Sequence, residues 1–176
     1  ARFDTPAATE GPSTARCLIL VTPDAQRTMC TYLGASVGLD PADLDLDMVA
    51  QAKVLYLEGY LWDSDEAKAA FITAAEVARA HGGEVALSLS DAFCVERHRE
   101  SFQELVDGHV DILFANEMEI TALYKANSFE EAADQVRGRC KLAALTRSEQ
   151  GSVVLNGAGT HSVAPFQLGP LLDTTG

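Results

Sequence analysis

From Lys53 onward, short apolar runs alternate with longer stretches in which apolar residues recur every three or four positions. Val54-Leu55-Tyr56-Leu57 is the first run and reads as a buried strand. A helix is expected from about Ser64 to Ala80, because Ala67, Ala70, Phe71, Ala74, Ala75 and Ala78 fall on one face. Asp63 with Glu66 suits a capping box at its start, and His81-Gly82-Gly83 ends it. Val85 to Leu89 is the next strand and Val95 to Val106 the next helix, followed by a strand over Val110 to Ala115. A short helix through Tyr124, a second from Ser128 to about Val136 and a strand over Leu142 to Thr146 continue the alternation. Ser152 to Leu155 and Thr160 to Ala164 flank Asn156-Gly157-Ala158-Gly159 and read as a hairpin.

This order predicts an α/β fold with a doubly wound, mostly parallel sheet flanked by helices. Ligands of such sheets bind beyond the carboxyl ends of the strands. That rule singles out Gly59-Tyr60, Ser88 to Ser90, Asn116 to Glu119, Thr146 to Gly151 and the segment after Pro170.

The first part of the chain follows a different pattern. Residues 1–14 are polar and aperiodic, Ala15 to Val21 and Arg27 to Leu33 read as two strands, and Thr22-Pro23-Asp24-Ala25 is a turn signal. The expected division is a β-hairpin segment at 1–35 and an α/β core at 36–176.

Composition narrows the choice of function. The 176 residues are 47% hydrophobic with a net charge of −13, an ordinary globular balance whose acidity argues against a nucleic-acid partner. There is no apolar run of membrane-spanning length and no export signal, so the reading is a cytoplasmic protein without a membrane partner. Cys17, Cys30, Cys94 and Cys140 form no CxxC pair and read as reduced, mostly buried thiols. The four histidines show no zinc-ligand spacing.

Several motifs recur in a familiar order. Asp173-Thr174-Thr175-Gly176 resembles the start of the D-T-x-G-A-G-D signature of ribokinase-like (PfkB-type) kinases. In that family the glycines open a helix whose N–H groups cradle the transferring phosphoryl group, and the final Asp is the general base. The resemblance makes Gly176 part of the anion hole, with Thr174 and Thr175 at ATP. It also makes Asp173 and Thr175 partners of a monovalent cation such as potassium. The matching base would lie three residues past Gly176, so the chain reads as cut short there, and the family's acceptor-binding motifs would lie upstream.

Asn116 followed by Glu119 is by spacing a helix capping box. It also resembles the family's N-x-x-E motif, which implies Asn116 near the nucleotide and Glu119 organising Mg²⁺ through water. Thr146-Arg147-Ser148-Glu149-Gln150-Gly151 is similar to the family's T-x-G-x-x-G nucleotide segment. Thr146 and Gly151 match, while Ser148 replaces the central glycine and narrows the turn geometry. The first hairpin resembles the family's small β-lid. Arg27 would clamp the γ-phosphate, and Met29, Thr31 and Leu33 would face the acceptor. Tyr60 stands where adenosine-kinase-type members place an aromatic against the purine.

The resemblance implies an ATP- and Mg²⁺-dependent transfer of the γ-phosphate to a primary hydroxyl of a nucleoside, adenosine first. It also allows a homodimer through the lid. Three alternatives stand beside it: a sugar kinase of the same family (ribose, fructose or similar), a dinucleotide-binding domain and a non-catalytic fragment or binding module. Leu57-Glu58-Gly59-Tyr60 shows no G-x-G-x-x-G, which counts against the dinucleotide reading. The 176 residues by themselves are expected to show no kinase activity. ATP-dependent product formed by this chain alone, in a coupled ADP-release assay, would contradict that expectation.

Overall fold

The computed structural model describes residues 7–166. Two compact units share them, one running to Leu39 and the other from Asp40 onward.

The first unit is built on an antiparallel pair, β1 (Arg16–Val21) and β2 (Arg27–Tyr32), in the register Arg16↔Tyr32 to Val21↔Arg27. The Thr22–Ala25 turn closes through the Ala25 N–H on the Thr22 carbonyl at 2.9 Å. Strand alternation puts Arg27, Met29 and Thr31 on one face and Thr28, Cys30 and Tyr32 on the other. Both faces of the ribbon are exposed, including Leu18 and Leu20. Cys17 and Cys30 are therefore exposed, which corrects the expectation of mostly buried thiols. A two-stranded ribbon has no second layer in which to bury them.

The second unit holds a six-stranded sheet of β3 (Val54–Glu58), β4 (Glu84–Ser88), β5 (Ile112–Asn116), β6 (Leu142–Thr146), β7 (Ser152–Asn156) and β8 (Gly159–Val163). The strands lie side by side in chain order. β3 to β6 are parallel, and β7 and β8 join antiparallel. Helices α1 (Leu46–Gln51), α2 (Asp65–Ala80), α3 (Ala92–Arg97), α4 (Arg99–His109), α5 (Glu117–Tyr124) and α6 (Phe129–Val136) complete the mostly parallel α/β architecture expected from the sequence. Among the described residues no helix is long and apolar enough to cross a membrane.

The registers explain where the core lies. Leu57, Leu87, Leu113, Ala143 and Leu155 line up across five strands and are all buried. The helices supply the other half of that layer through Ala70, Ala74, Ala75 and Ala78 of α2, Phe102 and Leu105 of α4, and Ile120 and Leu123 of α5. Trp62 sits between Phe71 and Phe102, with ring centroids at 5.5 and 5.4 Å, and donates its indole N–H to Ser101 at 2.9 Å. On the opposite face Tyr56 and Phe114 remain exposed among the described residues. Because the strand order never reverses there, successive right-handed crossovers carry their helices to the same side.

Two local expectations change. The N-cap of α2 is Ser64, whose Oγ accepts the Ala67 N–H at 3.0 Å, rather than Asp63. Asp63 is taken by Arg97 at 2.9 Å and His98 at 2.8 Å, a charged pairing that outcompetes a cap. The single helix expected over Val95 to Val106 is broken at His98 into α3 and α4, and α3 starts earlier on the cap from Asp91.

Asp111, just before β5, stitches three strands. It is 8% exposed, and its carboxylate accepts the Val85 N–H at 3.0 Å and pairs with Lys141 at 3.1 Å. Burial pulls its pKa up, but the Val85 N–H and then Lys141 outweigh that and hold it below the ordinary 3.8. A depressed carboxylate stabilises the fold above its unfolded pKa and loses that contribution as pH falls through the folded one. Asp111→Ala is expected to cost about 1–3 kcal/mol at pH 7 by orphaning a buried N–H. Urea titrations should show the gap narrowing below about pH 4; a gap that stays constant to pH 2 would contradict the assignment.

Candidate active site

The carboxyl ends of the parallel strands bring the motif residues together. Asn116 ends β5 directly beside Thr146 at the end of β6, as their register pairing shows. Asn116 is also the N-cap of α5, so one residue serves the strand, the turn and the helix. Its Oδ1 accepts the Glu119 N–H at 2.8 Å. Glu119 reaches back to accept the Asn116 backbone N–H at 2.9 Å and side-chain Nδ2 at 2.8 Å. The capping box and the N-x-x-E motif are thus one structure.

Glu119 is 6% exposed. Burial raises its pKa above the ordinary carboxylate value; the Asn116 N–H opposes this, and the Asp91 and Glu58 carboxylates push it up again. A cation among these acids would relieve that repulsion. Each Glu119 oxygen accepts one hydrogen bond and keeps a second acceptor position. Among the described residues no group of three or more His, Cys, Asp or Glu is placed to hold a metal directly. A nearly buried carboxylate with an acceptor position left on each oxygen fits a hard cation held through its own waters, the usual state of Mg²⁺.

Thr146 leads into a tight loop. The Arg147 N–H donates to the Gly151 carbonyl at 2.8 Å, and the Gly151 N–H to the Ser148 carbonyl at 3.1 Å. Ser148 takes φ +48°, the left-handed conformation open to the glycine of the family motif. The turn is kept, at the cost of backbone strain. Gly151, at φ +86°, has no such latitude, since a Cβ there would sit 2.1 Å from the Val163 carbonyl oxygen. Between this loop and residues 116–118 lies a cleft of about 410 Å³. A larger hollow of about 610 Å³ opens near the start of β6, lined by Arg137, Cys140 and Gly157, among others, and by none of the motif residues.

Tyr60 lies past the carboxyl end of β3 in a short 3-10 turn and is exposed. Gly59 lets that turn close onto the next strand's exit, because a Cβ would meet the Leu89 carbonyl at 2.5 Å. The neighbouring Glu58 carboxylate accepts Ser90 Oγ at 2.5 Å and Tyr56 OH at 2.9 Å. Sequence reasoning missed this carboxylate. It also missed Arg147, which lies 4.0 Å over the Phe129 ring and pairs with Glu117 at 3.2 Å. The signal for the second was a cation inside the loop motif and an acid at the first position of the facing helix. Cys94 is buried, and burial raises its thiol to about 11, so it is inert at neutral pH.

The structure brings together Asn116, Glu119, Thr146, Ser148 and Gly151. Arg27, Met29 and Thr31 share one face of the hairpin, while Leu33 lies past the strand in helical conformation. Asp173, Thr174, Thr175 and Gly176 lie outside the described residues.

Residues 6–176 match the pfkB family carbohydrate kinase model, and the chain belongs to that family. An adenosine kinase structure from Sinorhizobium meliloti is 51% identical over 99% of this chain and 54% of its own, with a TM-score of 0.93. A probable sugar kinase from Rhizobium etli is 46% identical over 98% of this chain and 53% of its own, also at 0.93. A protein assigned as ribokinase II from E. coli, in complex with ATP and Mg²⁺, shares the fold at 16% identity, with 81% and 48% coverage and a TM-score of 0.73. The chain spans about half the length of these relatives. No curated protein matches it.

The loop geometry gives a paired test. Gly151→Ala is expected to lose roughly 2 kcal/mol or more. Ser148→Gly is expected to change stability by under about 1 kcal/mol, since relieved strain offsets added chain entropy. Thermal unfolding of both variants checks this, and a well-tolerated Gly151→Ala would refute the loop assignment.

Proposed function

We propose that the protein containing this chain transfers the γ-phosphate of ATP to a primary hydroxyl of a nucleoside, adenosine first. The observation that carries this reading is Asn116, held by its reciprocal cap with Glu119, facing residues 146–150 of the loop after β6 across one cleft. Asn116, Thr146, Ser148 and Gly151 border the nucleotide. Glu119 holds Mg²⁺ through water, and the cation, when bound, offsets charge on the phosphates. The rest is positioning and exclusion of water, since phosphoryl transfer asks little covalent work of the protein.

The remaining roles extend the family resemblance. Arg27 clamps the γ-phosphate, and Met29, Thr31 and Leu33 with Tyr60 contact the acceptor. Thr174, Thr175 and Gly176 belong to the phosphate end, with Asp173 and Thr175 beside a monovalent cation such as potassium. The hairpin at 1–35 acts as a lid on the core at 36–176. Its exposed apolar faces support a homodimer through that lid. Adenosine is favoured by the S. meliloti relative; the R. etli relative is the specific reason to keep a sugar as the second reading.

The test is a coupled assay of the complete encoded protein with ATP and Mg²⁺ against adenosine, ribose and fructose. Adenosine is expected to be phosphorylated fastest. Rapid turnover of ribose with none of adenosine would establish the sugar reading instead. Transfer to no acceptor, together with no nucleotide binding, would mark a non-catalytic module.

A further inference from the structure

Arg147 has no role in the scheme above, yet it lines the cleft and engages two acids and an aromatic ring. Its side chain is 20% exposed. The guanidinium carbon lies over Phe129, 4.0 Å from the ring centroid. Nε and Nη2 reach the two oxygens of Glu117 at 3.3 and 3.2 Å, and Nη1 lies 3.6 Å from Glu130. One side chain thus ties the loop after β6 to the first turns of α5 and α6.

Glu117 explains why this matters. It starts α5, where an acid is favoured by the helix dipole, and it also lines the cleft with Asn116 and Glu149. A cleft for a polyphosphate with bare carboxylates on its wall would repel its ligand. Charges some 6 Å apart at an effective dielectric between surface and water alter binding roughly tenfold. Nε and Nη2 of Arg147 each donate to Glu117, and Nη1 faces Glu130 at 3.6 Å, so the guanidinium is held against the acids, where it neutralises them and sets the loop.

We propose that Arg147 is a positioning residue of the nucleotide cleft. By pairing with Glu117 and lying on Phe129, it converts an acidic wall into one that accepts a polyanion. The inference rests on the ATP reading above.

Calorimetric titration of the complete protein with MgATP and MgADP tests it. Arg147→Gln is expected to weaken MgATP about tenfold and MgADP less, with Arg147→Lys between. Adding Glu117→Gln to Arg147→Gln is expected to recover most of the loss, because the repelling charge is gone. Glu117→Gln alone, which keeps the cation, is expected to tighten MgATP a few-fold and steepen its salt dependence. That variant also decides the matter if Arg147→Gln fails to fold. Equal losses for both nucleotides without rescue, or weaker binding by Glu117→Gln alone, would show a merely structural clamp and overturn the inference. A wild-type protein that binds neither nucleotide would instead sink the kinase reading itself.

Discussion

The reciprocal hydrogen bonds between Asn116 and Glu119 fix the one junction on which the candidate site depends. They stop β5, start α5 and hold a nearly buried carboxylate at the strand's carboxyl end. Without the cap, the first N–H groups of α5 would be unsatisfied beside a cleft, and Glu119 would have no reason to point inward. The pair that satisfies the local rule for starting a helix also supplies the carboxylate assigned to the cation in the proposed function. The rest of the site is arranged around this pair. β6 sets Thr146 level with Asn116, and the loop to Gly151 closes against β8 only because position 151 lacks a side chain.

Much of this was legible in the sequence because it is local. The strands at 54, 85, 110 and 142 are apolar runs with clear stops, and α2 announces itself by alanines at helical spacing. Those alanines also show why the helix can lie close to the sheet: Ala75 and Ala78 are completely buried. The family motifs were legible for a related reason, since glycine turns and caps leave fixed residue types at fixed spacing.

What was not legible depends on partners distant in sequence. By spacing Asp63 reads as a cap, since Glu66 follows it three residues later. Only the folded chain brings Arg97 and His98 to its carboxylate and leaves the cap to Ser64. The break at His98 has the same origin, because His98 turns toward Asp63 and its carbonyl accepts Ser101 Oγ. α1 shows no helical period, because it is six residues long and Leu44, Leu46 and Met48 alternate with Asp43, Asp45 and Asp47; its start rests on the Asp45 cap. Arg147 and Glu117 are thirty residues apart, and no spacing rule connects them.

The central claim is that the nucleotide phosphates and their metal bind where the Asn116–Glu119 cap meets the Thr146–Gly151 loop. Titrating the complete, isotope-labelled protein with ATP and paramagnetic Mn²⁺ tests this most directly. The account predicts selective broadening of the amide signals of Asn116, Glu119, Thr146, Ser148 and Gly151, with Asp111 and Lys141 at the opposite strand ends spared. Broadening centred on Asp111 and Lys141, or spread evenly over the sheet, would contradict it.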